Sequence, residues 1–221
     1  DWELAAYEIP NLDVGTTEIE VSHLRKPFFQ TDVEEILVHL GETYTWFLKQ
    51  KGCSLEVNGI KVKPRGFEAW AFPPGFEPRS AVFEVKLNQG ETIRVELTAG
   101  LIRDRIPESD NYGVYFYCNH RLIVKELKTR DVGYFVTSEA GVPHPDASLC
   151  RVIVRLDGPA KLMPWNSSKT GINVSHAAFH QIRPTLIQLV SHFTSLSRRL
   201  KDDWERKVFS FKSGEIESID P

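Results

Sequence analysis

The sequence predicts an α/β (α+β) fold: a mixed sheet with helices on one face and a long C-terminal helix. Two apolar runs, residues 112–118 and 150–156, have the length and composition of strands that are buried on both faces. Segments that flank turn residues at 58–59 and 88–90 predict two hairpins. From residue 175 onward, apolar side chains recur three and four apart, which predicts the long helix.

The composition is that of a soluble globular protein. Of its 221 residues, 41% are hydrophobic and 26% are charged, which suffices for one large or two small domains. The net charge of −3 argues against a surface that binds nucleic acid all over. No apolar run reaches the ~18 residues of a membrane span, and no signal peptide is apparent. We therefore expect an intracellular protein with no membrane partner, cytoplasmic or, in a eukaryote, nuclear.

The cysteines and the single methionine support two further predictions. Cys53, Cys118 and Cys150 are odd in number, far apart and without metal-ligand spacing, so we expect buried reduced thiols. The chain begins at Asp1, and its one methionine is Met163. We therefore expect it to be part of a longer protein.

The first strand and the first helix are predicted from alternating apolar and polar residues and from capping residues. Apolar residues alternate with polar and acidic ones over residues 18–24, which predicts a half-buried strand. Thr31 and Glu34 have the spacing of a capping box. The helix that begins there should end before Gly52.

The middle of the chain predicts strands and one packed loop. Asn58 and Gly59 favour the positive φ angles of a type I′ turn between two short strands. Residues 65–80 are rich in proline, glycine and aromatic rings, which predicts a loop packed against the protein body. A second hairpin is expected over residues 81–98, and residues 121–127 should form another strand.

The last third predicts a polar loop and a helical region. Residues 163–173, which we call the lysine loop, lie between the apolar run that ends at residue 156 and the helical pattern. Pro184 should divide a short helix from a long one, because proline removes a backbone donor. The residues from 210 onward form a polar tail that we expect to be frayed.

The lysine loop is the leading candidate for a functional site. A small-polar loop there can present the Lys169 ammonium to a ligand phosphate, although a solvated lysine is the usual finding for an arbitrary loop. His176 and His180 have a spacing that suits zinc on a helix, but no third ligand suggests itself, so we predict no metal site. Cys118 and His120 lie two apart, yet a buried strand thiol is favoured over a nucleophile.

Four stretches, in this order along the chain, resemble the second half of a GHKL ATPase, the superfamily of gyrase B, heat-shock protein ninety, histidine kinases and MutL. Residues 15–24 resemble its Gly-Thr-x-Ile-x-Ile segment, and residues 57–64 resemble the start of its transducer domain, which has a ribosomal-S5-domain-2-like fold. Residues 113–123 resemble its Gly-Val-x-x-Tyr-x-Asn-x-Arg-Leu-Ile strand pair, and residues 166–173 are similar to the loop with its phosphate-sensing lysine. The likeness is closest to the microrchidia (MORC) branch and its bacterial relatives.

The resemblance implies a division of the chain. Residues 1–26 would be remnant strands of the nucleotide-binding domain, 27–174 the S5-like transducer domain, 175–209 a C-terminal helical region and 210–221 the tail. The helix that holds the attacking water and Mg²⁺, the adenine motif and the glycine-rich lid of the family are not found in this sequence. The chain would therefore be a fragment of an ATPase that is inactive alone.

The resemblance also implies site residues and cofactors. Lys169 would be catalytic, because it would contact the γ-phosphate of ATP held by the preceding domain. Asn166, Ser167 and Ser168 would bind the nucleotide beside it, and Thr16 would be a remnant of the adenine site. ATP and Mg²⁺ would be cofactors of the full-length protein, without tight binding to this chain.

The implied partners are the preceding nucleotide-binding domain and a second copy of the full-length protein, which would close as a clamp on ATP binding. DNA is the expected substrate of this clamp, and its candidate contacts are basic loops such as the one that contains Arg121, Lys125 and Lys128. The alternative is a non-enzymatic module that binds a protein or nucleic acid through its sheet and its aromatic loop. That loop contains Phe67, Trp70, Phe72 and Phe76.

Overall fold

The computed structural model describes residues 15–19, 23–87, 90–102, 111–134, 147–200, 210–211 and 217–218. Its helices are α1 (Gln30–Thr43), α2 (Thr45–Leu48) and α3 (Ala177–Leu200). Its strands are β1 (Glu56–Val57), β2 (Ile60–Lys61), β3 (Trp70–Ala71), β4 (Arg79–Lys86), β5 (Thr92–Leu101), β6 (Gly113–Cys118), β7 (Arg121–Leu127), β8 (Cys150–Asp157), β9 (Ser210–Phe211) and β10 (Glu217–Ser218). Within these ranges, no helix has the length and apolar character needed to cross a membrane.

The predicted mixed sheet and long C-terminal helix are confirmed. The main sheet has the strand order β10-β4-β5-β8-β6-β7. Strand β5 pairs antiparallel with β4 and with β8, and β6 pairs antiparallel with β7. The pairing of β6 with β8 is parallel. Strand β8 therefore lies between two hairpins and joins them into one sheet.

Helix α3 covers one face of this sheet, where it contacts β4, β5 and β8. Its buried side chains recur three and four apart and include Leu186, Leu189 and Phe193. They share one hydrophobic core with Val152 and Val154 of β8. The predicted apolar stripe of the helix is thus the one that packs against the sheet.

The opposite face of the sheet is covered by the aromatic loop. The rings of Phe67 and Trp70 pack against a second core that contains Tyr115 and Ile153. Phe72 is 1% exposed. Phe67 and Trp70 are half-buried in this packing, so only part of each ring remains exposed for stacking on a ligand. The alternative of a module that binds through the aromatic loop stays a prediction.

Arg151 of β8 connects the aromatic loop to the sheet. Its guanidinium group donates hydrogen bonds to the carbonyl oxygen of Phe67 at 2.9 Å and to that of Asn111 at 2.6 and 3.1 Å. Its Cζ lies 5.2 Å from the ring centroid of Tyr115. The residue is 6% exposed, and a buried charge is tolerated only where its donors are satisfied.

The N-terminal strand is not found among the described residues. Residues 16–19 have no regular secondary structure, and Ile19 is 82% exposed. Residues 20–22, which complete the predicted strand, lie outside the described residues. The described residues 18, 19, 23 and 24 are not in a strand, and the centre of the predicted strand stays a prediction.

Helix α1 begins one residue before the predicted cap. The Asp32 carboxylate accepts the backbone N–H of Phe29 at 2.6 Å, so the reciprocal bond of the cap uses Asp32 rather than the predicted Glu34. The helical segment ends before Gly52, as predicted, after a break at Tyr44 between α1 and α2.

Pro184 does not divide the helical region, contrary to the prediction. It lies inside the continuous helix α3 and is exposed, so water can bond the carbonyl that lacks a helical donor. Burial of Ile182 and Leu186 on either side of it stabilises the helix across this position.

Residues 201–209, predicted to continue the helix, lie outside the described residues. In the tail, which was expected to be frayed, β9 pairs with β3 and β10 pairs with β4.

The turn and cysteine predictions have separate outcomes. Asn58 and Gly59 have φ angles of 50° and 75° and join β1 to β2 in the predicted hairpin. Cys118 and Cys150 are buried free thiols, as predicted. Cys53 is exposed instead, because it precedes β1 and lies outside any strand.

We expect the substitution Arg151→Met to lower the free energy of unfolding by about 2–4 kcal/mol, because it leaves two backbone carbonyls without their donor. Arg155→Met on the same strand is the matched control. Arg155 has a side chain that is 25% exposed and pairs with Glu68 and Glu96, so its loss should cost less than about 1 kcal/mol. Urea denaturation measures both values, and equal losses would contradict the role given to Arg151.

Candidate functional site

The lysine loop forms a small hairpin between β8 and α3. Its two arms are joined by a bridge between Trp165 and Ile172. The N–H of Asn166 donates to the carbonyl oxygen of Gly171 at 2.9 Å. Met163, at the start of the loop, is 3% exposed and belongs to the core shared by α3 and the sheet. The base of the loop is therefore fixed, and residues 166–170 at its tip are exposed.

The side chain of Asn166 organises the tip through hydrogen bonds. Its Oδ1 accepts from the backbone N–H of Thr170 at 2.9 Å and from the hydroxyl of Ser168 at 3.2 Å. Its Nδ2 donates to the hydroxyl oxygen of Thr170 at 3.4 Å, and the two hydroxyl oxygens of Ser168 and Thr170 lie 2.8 Å apart. One set of proton positions satisfies all three side-chain contacts as a closed ring of hydrogen bonds, from Asn166 to Thr170 to Ser168 and back.

The Lys169 ammonium is accessible at this tip. The residue has a φ of 54°, in the left-handed region, and its N–H donates to the Asn166 carbonyl oxygen at 3.0 Å. Its Nζ lies 4.8 Å from the ring centroid of Trp165. Among the described residues, no carboxylate lies within ion-pair distance of this ammonium. The lysine thus carries a charge that the aromatic ring attracts but does not neutralise.

The structure brings together four of the five predicted site residues. Asn166, Ser167, Ser168 and Lys169 share the loop tip, and Ser167 makes no hydrogen bond through its hydroxyl to the described part of the chain. Thr16 is exposed in the irregular segment 16–19. No hydrogen bond between described residues joins Thr16 to the lysine loop.

Trp165 is the residue that the sequence reasoning missed. An aromatic residue four positions before a lysine is a local signal for a cation–π contact only on a helix. In this loop, the contact depends on the hairpin and on the left-handed backbone at Lys169. Neither feature follows from composition.

The other candidate residues have structural explanations. The Nδ1 atom of His176 accepts the N–H of Ala178 at 3.2 Å, at the start of α3, and no group of three metal-ligand side chains occurs in the described ranges. Burial raises the pKa of Cys118 to about 12, which keeps its thiol protonated at neutral pH. The imidazole of His120 instead stacks on the Trp46 ring, with centroids 4.0 Å apart.

Arg121 and Lys125, two basic residues of β7, are engaged with other side chains. Lys125 forms an ion pair with Glu42 at 2.9 Å. The guanidinium of Arg121 lies over the ring of Tyr44 at 5.5 Å. These contacts give both cations a role within the fold.

Comparison with known proteins gives no sequence match, since neither a protein-family model nor a curated protein matches the chain. Among solved structures, the chain is similar to one described as the crystal structure of the B-subunit of the DNA gyrase from Myxococcus xanthus. The identity is 16% and the TM-score is 0.33. The similarity covers 57% of this chain and 44% of that chain, so this chain spans less than half the length of that subunit.

We expect Asn166→Ala to loosen the loop tip, because it removes the acceptor of the Thr170 N–H and opens the hydrogen-bond ring. Amide hydrogen exchange at Thr170, followed by NMR, should become about five-fold faster, as expected for the loss of a hydrogen bond worth ~1 kcal/mol. Ser167→Ala is the control and should leave this rate unchanged. Unchanged protection of Thr170 in Asn166→Ala would show that the backbone alone orders the tip.

Proposed function

We propose that this chain is the transducer part of a GHKL-type ATPase, in which Lys169 binds the γ-phosphate of ATP. The observation that carries the proposal is the Lys169 ammonium, which is exposed at the tip of a fixed hairpin and has no carboxylate partner among the described residues. The resemblance of four stretches of sequence supplies the family, with the MORC branch as the nearest pattern. The chain would belong to a longer protein whose preceding nucleotide-binding domain holds the ATP.

The chemistry of the loop fits a phosphate group. An ammonium is a compact charge with three donors, which suits the oxygens of a terminal phosphate. The Ser167 hydroxyl is the further donor at the tip, whereas the Ser168 and Asn166 side chains are used within the hydrogen-bond ring. Lys169 would stabilise the negative charge that develops on the phosphoryl oxygens during hydrolysis.

Mg²⁺ would bind with ATP in the neighbouring domain rather than in this chain. The lysine loop contains no carboxylate, and the described residues include no cluster of metal-ligand side chains. Oxygen ligands from carboxylates and phosphates are the usual partners of Mg²⁺. This chain would contribute the positive charge of Lys169 to the ATP site. Thr16 would lie beside the adenine pocket of the neighbouring domain.

The position of the loop suggests how nucleotide binding would be transmitted. The loop begins at the buried Met163 and continues into α3, which packs along the sheet. A γ-phosphate bound at Lys169 would therefore fix the preceding domain against the sheet and α3. In the full-length protein, we propose that this contact closes a homodimeric clamp, with DNA as its substrate. The DNA part is supported by the family resemblance alone, since Arg121 and Lys125 are engaged within the fold.

The test uses the full-length natural protein and compares Lys169→Met with Lys161→Met. Lys161 is a surface lysine near the loop that pairs with Glu91 at 2.6 Å, so it matches the charge change without the proposed role. We expect Lys169→Met to lower kcat at least about ten-fold, which corresponds to ~1.4 kcal/mol of transition-state stabilisation. Lys161→Met should leave kcat within about two-fold of the natural protein.

An unchanged kcat in Lys169→Met, with normal folding by circular dichroism, would refute the assignment of this lysine. If the full-length natural protein does not hydrolyse ATP, the proposal that it is a GHKL-type ATPase is wrong.

A further inference from the structure

Trp165 has a contact that the proposed ATPase role does not by itself require. Its ring lies under the Lys169 ammonium, with 4.8 Å between Nζ and the ring centroid. We propose that Trp165 is the resting site of this ammonium and that the γ-phosphate must compete with the ring for it. Trp165 would then be a positioning residue that sets the ATP concentration at which Lys169 engages. This inference rests on the proposed function.

The two partners of the contact differ in mobility. The indole is half-buried, packs against the main core and belongs to the bridge with Ile172. The ammonium lies at the end of a flexible four-carbon stem on an exposed residue. The ring is thus the fixed partner, and a change of ligand would move the lysine rather than the tryptophan.

The strength of the contact suits a resting site. An exposed cation–π contact shifts a conformational equilibrium by about two- to five-fold, so it holds the ammonium in one position for most of the time. A phosphate offers full negative charge and charge-assisted hydrogen bonds, which are stronger than the attraction of a ring quadrupole. Bound nucleotide would therefore displace the ring as the partner of Lys169.

The fold separates this role of the ring from its packing role. The loop tip is ordered by Asn166, Ser168 and Thr170, none of which uses the indole. Leucine at position 165 keeps an apolar side chain against the core, and phenylalanine keeps an aromatic face that attracts cations less strongly than indole does. Trp165→Phe therefore weakens the attraction between position 165 and the Lys169 ammonium, and Trp165→Leu removes it. Both variants keep an apolar side chain packed against the core.

The first measurement uses the 221-residue chain without nucleotide. Aromatic ring currents shift protons above a ring face upfield, so the Lys169 side-chain methylene protons should be upfield in the natural chain. Trp165→Leu should remove this shift, and Trp165→Phe should retain part of it. Lysine shifts at random-coil positions in the natural chain would overturn the inference, because no resting contact would then exist.

The second measurement uses steady-state ATPase kinetics of the full-length protein. Trp165→Leu should lower the KM for ATP about two- to five-fold with kcat unchanged, because competition by the ring is lost, and Trp165→Phe should give an intermediate KM. A KM that stays the same or rises in both variants would overturn the inference, since the ring would then be neutral or would assist phosphate binding.

The two proposals fail in distinguishable ways. If Lys169→Met lowers kcat but neither Trp165 variant lowers KM, the lysine assignment stands and the resting site is wrong. If Lys169→Met leaves kcat unchanged, both proposals are wrong, whatever the lysine proton shifts show.

Discussion

The pairing of β8 with β5 on one side and β6 on the other is the constraint on which the structure depends. It joins two hairpins that would otherwise be separate, and it creates the one sheet that α3 covers. Both faces of β8 are buried, so residues at alternate positions along this strand contribute to the cores on opposite faces of the sheet. The direction of β8 also determines where the chain emerges into the lysine loop.

The lysine loop combines a fixed base with a tip that satisfies its own polar groups. Trp165 and Ile172 bridge its arms, and Asn166 bonds across the tip. A loop built in this way needs no contact with a neighbouring domain to hold its shape. The Lys169 ammonium is the charged group that the tip leaves without an ionic partner among the described residues, so the loop's electrostatic effect is concentrated at one atom.

Much of the fold follows from local sequence, and the parts that do not have identifiable causes. Asn58 and Gly59 determine their turn by backbone preference, and a continuous apolar run identifies β6. The insertion of β8 between two hairpins is a long-range pairing that no local pattern specifies. The continuous helix through Pro184 depends on burial of the neighbouring side chains, which outweighs the loss of one hydrogen bond.

The candidate site was predictable to a similar extent. The polar character and position of the loop single out Lys169 as a candidate, and the structure places it at an exposed loop tip, while its role stays a prediction. The contact with Trp165 and the internal use of Asn166 were not predictable, since both depend on which residues the hairpin places opposite one another.

The accessibility of the cysteines has a practical consequence. Burial raises the pKa of Cys118 and Cys150 to about 12, whereas Cys53 is exposed. A maleimide reagent should therefore modify the native chain at Cys53 alone, with no need to replace the other two. The same position would accept a spin label or a fluorophore at one defined point of the chain.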